Sequence, residues 1–307
     1  MRIVYMGTPA FAVPPLQSLV TAGHEVVGVV TRTDKPAGRG RALTPPAVKL
    51  AAEQSDVPVF QPKRVRDAES VAAIRAMGPE AIVVAAYGQI LPKDLLELPR
   101  YGCINIHASL LPAYRGAAPI NWAVINGETR TGITIMQMDE GLDTGGILAQ
   151  DSIPIGPDDT AGDVTAKLSE LGGSLVVDVL GRIEGLAAAP QDNSKATMAP
   201  LLRKEDGRLD WTMSAKKIHD RVRGLSPWPG GYGRLDGKLV KILRTAVIDG
   251  AGEPGVLYSP EKDIVAVGTG VGLLRILTLQ PEGKKPQSAE EFLRGHRGVV
   301  GRKFEAR

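Results

Sequence analysis

The chain has 307 residues, of which 43% are hydrophobic and 23% charged, a composition typical of a globular protein with as many as two domains. It contains no apolar run near the roughly 20 residues that a membrane-spanning helix needs and no basic, apolar leader, so we expect a cytoplasmic protein without a membrane partner. A single cysteine, Cys103, excludes an intrachain disulfide and makes a metal site based on cysteine improbable.

The net charge of +3 is unevenly distributed along the chain. Residues 1–199 contain 17 Lys and Arg against 21 Asp and Glu, whereas residues 200–307 contain 20 against 13. An excess of positive charge in the last third favours a surface that contacts a polyanion such as nucleic acid. The alternative is a chance scatter of basic residues over a solvated surface.

Apolar runs alternate with helical patterns in the first half of the chain. Continuous runs occupy residues 3–6, 25–30, 81–86 and 103–107. Continuous apolar strands separated by helices indicate a parallel sheet that is covered on both faces. The run at 132–138 instead alternates between apolar and polar positions, which predicts an antiparallel or edge strand. The sequence therefore predicts an α/β domain over residues 1–188.

The pattern changes towards the C-terminus. Helical periodicity from Thr160 to Ile183 gives way to weakly patterned residues, so we predict a linker at 189–207 and a second domain at 208–307. That domain begins with an amphipathic helix at 214–224, whose expected buried residues are Ile218 and Val222 and whose expected exposed residues are Lys216, Lys217, Arg221 and Arg223.

Short strands with glycine turns follow that helix and predict a small β-barrel. Trp211 and Trp228 belong to this region and could stack on nucleic-acid bases. Aromatic residues of small barrels are more often part of the core, and both interpretations remain open at this point.

Asn105 and His107 form the strongest chemical signal. Alternation along a strand places both side chains on one face, near the carboxyl end of the strand predicted at 103–107. Ligands bind beyond that end in open α/β sheets. An amide there can donate to a developing oxyanion and an imidazole can transfer protons, which suits acyl transfer. The alternative is that nearby loop backbone satisfies both side chains.

Asp143 lies in a second polar loop, the glycine-rich segment 139–146 that follows the strand predicted at 132–138. Its carboxylate could orient His107 or relay protons, and the neighbouring glycines would permit close approach of the backbone. Aspartate in such a segment often serves only the geometry of a turn.

A basic segment extends from Thr31 to Lys49. Its cationic side chains are Arg32, Lys35, Arg39, Arg41 and Lys49, against one acidic residue, Asp34. Glycines and prolines lie between them, so the segment could bind phosphates and deliver a nucleic-acid end to the catalytic residues. A solvated surface loop is the alternative.

These segments together resemble the folate-dependent formyltransferases. The motifs that carry the resemblance are Asn105-Ile106-His107, the segments 109–112 and 115–120, and the loop 139–145. The resemblance extends over nearly the whole chain and includes 7–9, 35–40, 85–92, 134–139, 210–211, 227–229 and 279–285. The basic segment, the linker and the C-terminal motifs favour the members of the family that act on tRNA.

The resemblance implies a Rossmann-like, doubly wound and mostly parallel sheet, followed by a small OB-like β-barrel domain that binds tRNA. It implies transfer of a formyl group from 10-formyltetrahydrofolate to the amino group of methionine on initiator methionyl-tRNA, without a metal, by a protein that we expect to be a monomer. The implied catalytic residues are Asn105, His107 and Asp143. The implied folate-binding residues are Tyr87, Gly88, Gln89, Ile90, Leu91, Ser109, Leu110, Leu111 and Pro112. The implied tRNA-binding residues are Lys35, Arg39 and Arg41.

The mechanism that follows is direct attack by the amine through a tetrahedral intermediate, whose charged oxygen we expect Asn105 and protonated His107 to stabilise. Two other functions remain open. One is formylation of a sugar nucleotide, and the other is RNA binding without catalysis by a protein with a degenerate Rossmann domain.

Overall fold

The structure is a computed structural model that describes residues 1–37, 42–261 and 263–305. The predicted tRNA-binding residues Arg39 and Arg41 lie outside these ranges. Spatial proximity divides the chain into two units. The first unit consists of Met1–Pro119, Arg130–Pro154 and Thr165–Ala199. The second unit consists of Ile120–Thr129, Ile155–Val164 and Pro200–Arg307.

The first unit is built on a seven-stranded sheet with a separate two-stranded sheet. Its strands are β1 (Arg2–Gly7), β2 (Glu25–Val30), β3 (Lys35–Ala37), β4 (Ala42–Thr44), β5 (Val59–Phe60), β6 (Ala81–Ala85), β7 (Cys103–His107), β8 (Arg130–Gln137) and β9 (Ile147–Pro154). The helices before residue 182 are α1 (Val13–Thr21), α2 (Ala47–Gln54), α3 (Ala68–Ala76), α4 (Lys93–Leu96), α5 (Pro119–Ile125) and α6 (Ala161–Gly181). Of these, α5 after Pro119 and the first four residues of α6 belong to the second unit.

The order of the large sheet is β5-β2-β1-β6-β7-β8-β9. The strands from β5 to β7 are parallel, whereas β8 and β9 are antiparallel to their neighbours. The predicted Rossmann-like, mostly parallel sheet is thus confirmed. The alternating run forms β8, which is antiparallel but not at the edge, because β9 pairs with its outer side. Strand β9 was not predicted, because its residues are half-buried or exposed and lack a clear apolar pattern.

The core explains why the apolar runs form central strands. Ile3, Val4, Tyr5 and Met6 of β1 are all fully buried, as expected for a strand covered on both faces. Because β1, β6 and β7 are adjacent and parallel, their carboxyl ends share one edge of the sheet. Asn105 and His107 lie at this edge.

The second unit contains an antiparallel, curled sheet that forms a half-barrel, in agreement with the predicted barrel class. Its strands are β10 (Gly231–Leu235), β11 (Lys238–Ile248), β12 (Leu257–Tyr258), β13 (Val265–Gly268), β14 (Leu273–Pro281) and β15 (Gln287–Ser288). The strand order is β10-β11-β14-β13-β12, and β15 pairs with β14. Two helices accompany the sheet, α7 (Ala215–Gly224) and α8 (Ala289–Gly295).

Trp211 belongs to the core of this unit and stacks on Phe304, with ring centroids 4.9 Å apart. Stacking of Trp211 on bases is therefore excluded by its burial. Trp228 differs, since 52% of its surface is exposed.

Helix α7 confirms the predicted amphipathic helix, with the Ser214 side chain accepting a hydrogen bond from the Lys217 amide. Ile218 and Val222 are buried, as predicted. The prediction that Arg223 is exposed is wrong, because Arg223 is 6% exposed and pairs with Asp220 at 2.8 Å. Helical periodicity assigns charged positions to solvent and does not reveal that two of them can be buried as a pair.

Residues 189–199, within the predicted linker, lie in the first unit and pair with its other residues. Ala189 exchanges backbone hydrogen bonds with Ile147 at 2.7 and 2.8 Å. Arg115 donates its amide to Thr197 O at 2.8 Å and accepts from the Ala199 amide at 2.7 Å. This segment therefore adds backbone pairing to the first unit. The domain limits given by sequence analysis, 1–188 and 208–307, stay predictions.

None of the helices in the described ranges is both long enough and apolar enough to span a membrane.

Candidate active site

His107 ends β7 and is 6% exposed. Its Nε2 lies 3.0 Å from the carbonyl oxygen of Tyr114, and its Nδ1 lies 3.7 Å from Oδ2 of Asp143. A carbonyl oxygen only accepts, so Nε2 carries a hydrogen and donates it. In the neutral ring Nδ1 is then the nitrogen with a free lone pair, held next to a carboxylate.

Asn105 precedes His107 by two residues on the same strand and is half-buried. Its side-chain amide makes no hydrogen bond within the described part of the chain. The alternative that loop backbone satisfies both side chains therefore fits His107, which bonds Tyr114, but not Asn105. An amide that is partly withdrawn from water and has no protein partner is free to bind a substrate oxygen.

Asp143 is held by its own loop and by the backbone of Gly116. Gly116 donates its amide to Asp143 Oδ2 at 2.8 Å, and the Asp143 side chain is 13% exposed. Asp139 accepts hydrogen bonds from the Gly141 amide at 3.0 Å and from Thr144 Oγ1 at 2.7 Å, which closes the loop. Asp143 itself has a φ of 53°, in the left-handed region that non-glycine residues seldom occupy. The loop thus places the carboxylate beside His107.

The segment that follows β7 is organised by Thr134, a residue that the sequence pattern does not distinguish from the rest of its strand. The Thr134 hydroxyl donates to Ser109 O at 2.6 Å and accepts from the Leu111 amide at 3.0 Å and from Gln150 Nε2 at 2.8 Å. Gln150 also donates to Leu111 O at 2.9 Å. The Ser109 hydroxyl donates to Ala113 O at 2.6 Å. These bonds fix residues 109–113 before any substrate binds.

The four predicted folate-binding residues of this segment differ in how far their side chains are exposed. Ser109 and Leu111 are buried, at 0% and 3% exposure, whereas Leu110 and Pro112 are half-buried. Within this segment, only Leu110 and Pro112 offer substantial side-chain surface to a ligand.

Replacing Thr134 by valine tests this organisation, because the two side chains have nearly the same shape. The change leaves the Leu111 amide and the Ser109 carbonyl without their partner, and we expect a loss of about 1–3 kcal/mol in the free energy of unfolding. Urea unfolding followed by circular dichroism measures it. Thr131→Val is the matched control, since Thr131 is 4% exposed on the same strand and makes no side-chain hydrogen bond in the described ranges. Equal losses for the two variants would contradict the proposed role of Thr134.

The loop after β6 contains the other predicted folate-binding residues, of which Tyr87 and Gly88 border a cavity of about 370 Å³. This cavity is also lined by Thr8, Arg32 and Lys35. Thr8 Oγ1 donates to Tyr87 O at 3.0 Å, and Arg32 donates to Gly88 O at 2.5 Å. Tyr87 is 2% exposed, and burial raises its pKa to about 12, so the phenol stays neutral at physiological pH.

The remaining residues of this loop differ in exposure. Gln89 accepts from the Val65 amide at 3.0 Å, and Leu91 is 6% exposed within the core. Ile90 is 89% exposed. Tyr87, Gln89 and Leu91 thus support the loop, whereas Ile90 presents an apolar side chain to solvent.

Part of the basic segment has a structural role. Lys49 forms an ion pair with Asp34 at 3.0 Å, and hydrogen bonds from Gln61 and Lys49 hold the pKa of the Asp34 carboxyl below its ordinary value. Lys35 is exposed at the start of β3 and has no ion pair in the described residues. Lys35 is therefore available to an anionic partner.

Within the described ranges, no three His, Cys, Asp or Glu side chains lie close enough to hold a metal ion. Cys103 is fully buried, and burial raises its pKa to about 12, so a thiolate nucleophile is not available at neutral pH.

Two family models match the chain. The one described as formyl transferase matches residues 1–180, and the one described as formyl transferase, C-terminal domain, matches residues 201–297.

Curated relatives match nearly the full length. The chain is 52% identical to a methionyl-tRNA formyltransferase of Geobacter metallireducens over 97% of this chain and 96% of the relative. It is 49% identical to one of Citrifermentans bemidjiense over 99% of this chain and 97% of the relative.

Among solved structures, the chain resembles WlaRD, a sugar 3N-formyl transferase crystallised in the presence of dTDP and 5-N-formyl-THF. The TM-score is 0.67 with 18% identity, covering 93% of this chain and 99% of that one. At this identity the likeness concerns the fold alone.

Proposed function

The chain belongs to the formyl transferase family, and on that basis we propose that it transfers the formyl group of 10-formyltetrahydrofolate to the amino group of methionine on initiator tRNA. The observation that carries the proposal is the free amide of Asn105 beside the His107–Asp143 pair, at the edge of the sheet where α/β enzymes bind ligands. Relatives that are about half identical over nearly the whole chain have the name of this activity.

Asn105, His107 and Asp143 each have a role in the proposed mechanism. The neutral amine attacks the formyl carbon, a new C–N bond forms, and the carbonyl oxygen becomes negatively charged. Asn105 donates its amide hydrogen to that oxygen. His107 takes a proton from the attacking nitrogen at Nδ1, since Nε2 already donates to Tyr114 O. The imidazolium then lies 3.7 Å from Asp143, whose opposite charge stabilises it.

Collapse of the intermediate breaks the bond between the formyl carbon and the folate nitrogen, which leaves with the proton that His107 returns. This order differs from the expectation that protonated His107 binds the oxyanion. The difference arises because Nε2 of His107 already donates to Tyr114 O, and Nδ1 is the nitrogen that takes the proton from the amine. Asn105 is then the main donor to the oxyanion.

We assign the folate to the two segments that follow β6 and β7, residues 87–91 and 109–112. The exposed Ile90 and the half-buried Leu110 and Pro112 supply apolar surface suited to a flat ring system. Bound there, the folate supplies the formyl carbon next to Asn105. The buried Ser109, Leu111, Tyr87 and Leu91 and the half-buried Gln89 would act by holding the loops in place.

We assign tRNA phosphates to Lys35, Arg39 and Arg41 and to the second half of the chain, where positive charge is in excess. Cations that neutralise phosphates make binding depend on salt concentration. Charged tRNA is used in the cytoplasm, so we place the reaction there, and we propose that the protein acts as a monomer.

The proposal is tested by incubating the full chain with 10-formyltetrahydrofolate and one of three acceptors. These are methionyl initiator tRNA, an amino-sugar nucleotide and uncharged tRNA. We expect N-formylmethionyl-tRNA from the first and no formylated product from the others. Preferred formylation of the amino sugar would replace the proposal with the sugar-directed activity. Binding of tRNA without formylation of any acceptor would indicate an RNA-binding protein.

Replacing Arg39 by alanine separates tRNA positioning from chemistry. Arg39 lies between Gly38 and Gly40 in the sequence, and its planar guanidinium can bind a phosphate through two hydrogen bonds. We expect Arg39→Ala to reduce formylation of charged tRNA by about tenfold or more, and Arg39→Lys to restore part of it. Folate affinity, measured by fluorescence titration, is the control and should not change. Normal turnover of tRNA by Arg39→Ala would exclude a role for this residue.

A further inference from the structure

Gln191 connects segments that are distant in sequence. Its Nε2 donates to the carbonyl oxygens of Asp143 at 2.9 Å and Gly145 at 2.8 Å. Its Oε1 accepts from the Arg115 guanidinium, at 3.2 Å from Nε and 2.7 Å from the terminal nitrogen. The side-chain amide therefore uses both of its hydrogens and its oxygen, and it does so on two different loops.

The two loops are those that hold the catalytic pair. Tyr114, directly before Arg115, accepts from His107 Nε2, and Gly116, directly after it, donates to Asp143 Oδ2. Arg115 is itself 7% exposed. The Gln191 side chain thus connects the backbone of Asp143 to Arg115. Arg115 lies between Tyr114, which contacts His107, and Gly116, which contacts Asp143.

We propose that Gln191 is a positioning residue of the active site, which fixes Asp143 relative to His107 by clamping the 143–145 loop to Arg115. The proposal rests on the roles proposed above for His107 and Asp143. Asp143 has a backbone conformation that few non-glycine residues adopt, and such a conformation persists only where surrounding contacts enforce it. Gln191 provides two of these contacts.

The competing explanation is that Gln191 only attaches the segment 189–199 to the first unit. That segment has other attachments, however. Arg115 pairs with it through the backbone of Thr197 and Ala199, and Asn193 Oδ1 accepts from Arg115 at 2.8 Å. The bonds from Gln191 to the 143–145 loop add little to this attachment, but they act directly on the carboxylate-bearing residue.

Two variants test the proposal in the full-length enzyme. Gln191→Ala removes the whole clamp, whereas Gln191→Glu keeps an oxygen for Arg115 and replaces the donor to the two carbonyls by a second acceptor. We expect both to lower kcat by about tenfold or more, because small displacements of catalytic groups are costly. The KM values for both substrates should stay within about twofold, since neither binding segment contains Gln191. Ser194→Ala is the control, because Ser194 is exposed in the same segment and its side chain bonds, among the residues the structure describes, only to Asp192.

A double-mutant cycle shows whether Gln191 acts through Asp143. In an Asp143→Asn background we expect Gln191→Ala to change kcat by less than about twofold, because there is no longer a carboxylate to position. An undiminished effect in that background would overturn the proposal, as would a kcat for Gln191→Ala equal to that of the wild type.

Hydrogen exchange supplies a readout that does not depend on activity. The Gly116 amide, which bonds Asp143, should exchange faster in Gln191→Ala, whereas the Ala118 amide, which bonds Ala199 O, should be unchanged. Unchanged exchange at Gly116 would overturn the proposal, and faster exchange at both would show that Gln191 only attaches the segment. If the wild-type chain formylates no acceptor, the proposed function fails. The exchange rates would still show whether Gln191 holds the 143–145 loop to Arg115.

Discussion

Replacing Asn105 by alanine is expected to lower kcat for formyl transfer by about 10²–10³-fold, the usual cost of removing one donor to an oxyanion. The same change should leave thermal unfolding unchanged or slightly raise its midpoint. This follows because the Asn105 amide makes no hydrogen bond within the described ranges, so its loss removes no bond of the fold. Formylation of charged tRNA and calorimetry of the free protein measure the two effects.

Asn105→Asp refines the test, since the two side chains have the same shape. A carboxylate cannot donate when ionised and repels the developing charge, so we expect this variant to be at least as inactive as Asn105→Ala. Turnover of either well-folded variant within threefold of wild type would mean that another group binds the oxyanion.

Asp220→Ala is expected to cost about 3–5 kcal/mol in the free energy of unfolding of the second unit, because it leaves a buried guanidinium without its counter-ion. Asp220 and Arg223 have side chains that are 5% and 7% exposed, with nitrogen–oxygen distances of 2.8 and 2.9 Å. Within the described part of the chain, Arg223 would keep only the carbonyl oxygens of Gly156 and Asp159, at 3.3 and 3.0 Å.

All three tryptophans of the chain, Trp122, Trp211 and Trp228, lie in the second unit, so tryptophan fluorescence during urea unfolding reports on it selectively. Lys216→Ala is the matched control. Lys216 also pairs with Asp220, but its side chain is 63% exposed, and we expect a cost under about 1 kcal/mol. Similar losses for the two variants would show that burial of the Asp220–Arg223 pair is not what makes it important.

Sequence patterns predicted the elements whose side chains follow a simple period. The strands predicted from the continuous runs of β1, β2, β6 and β7 and the helix predicted from the spacing of α7 are confirmed. A strand buried on both faces has apolar residues throughout, and a helix buried on one face has them three or four positions apart. Strand β9 has no such pattern, since its residues are half-buried or exposed on both sides. Arg223 shows the opposite case, in which a charged residue is buried because of a partner that periodicity does not reveal.

The candidate site was predictable where chemistry identifies the residue. An Asn and a His two positions apart on a strand, and an Asp among glycines, stand out by type and place. Thr134, Gln150 and Gln191 do not, because each acts by bonding backbone groups that are distant in sequence. A threonine on an apolar strand or a glutamine in a weakly patterned segment has no property that distinguishes it before the chain is folded.

The order of synthesis has a consequence for the second unit, which is assembled from three separate stretches of the chain. Asn121 donates to Gly224 O and Trp122 donates to Pro200 O, both at 2.8 Å. A ribosome adds about 5–20 residues per second, so residues 120–129 emerge several seconds before these partners exist. A gene cut between the two family matches, which end at 180 and begin at 201, would likewise separate residues that pack together. The region matched by the C-terminal family model therefore lacks part of the second unit and could not be exchanged on its own at that junction.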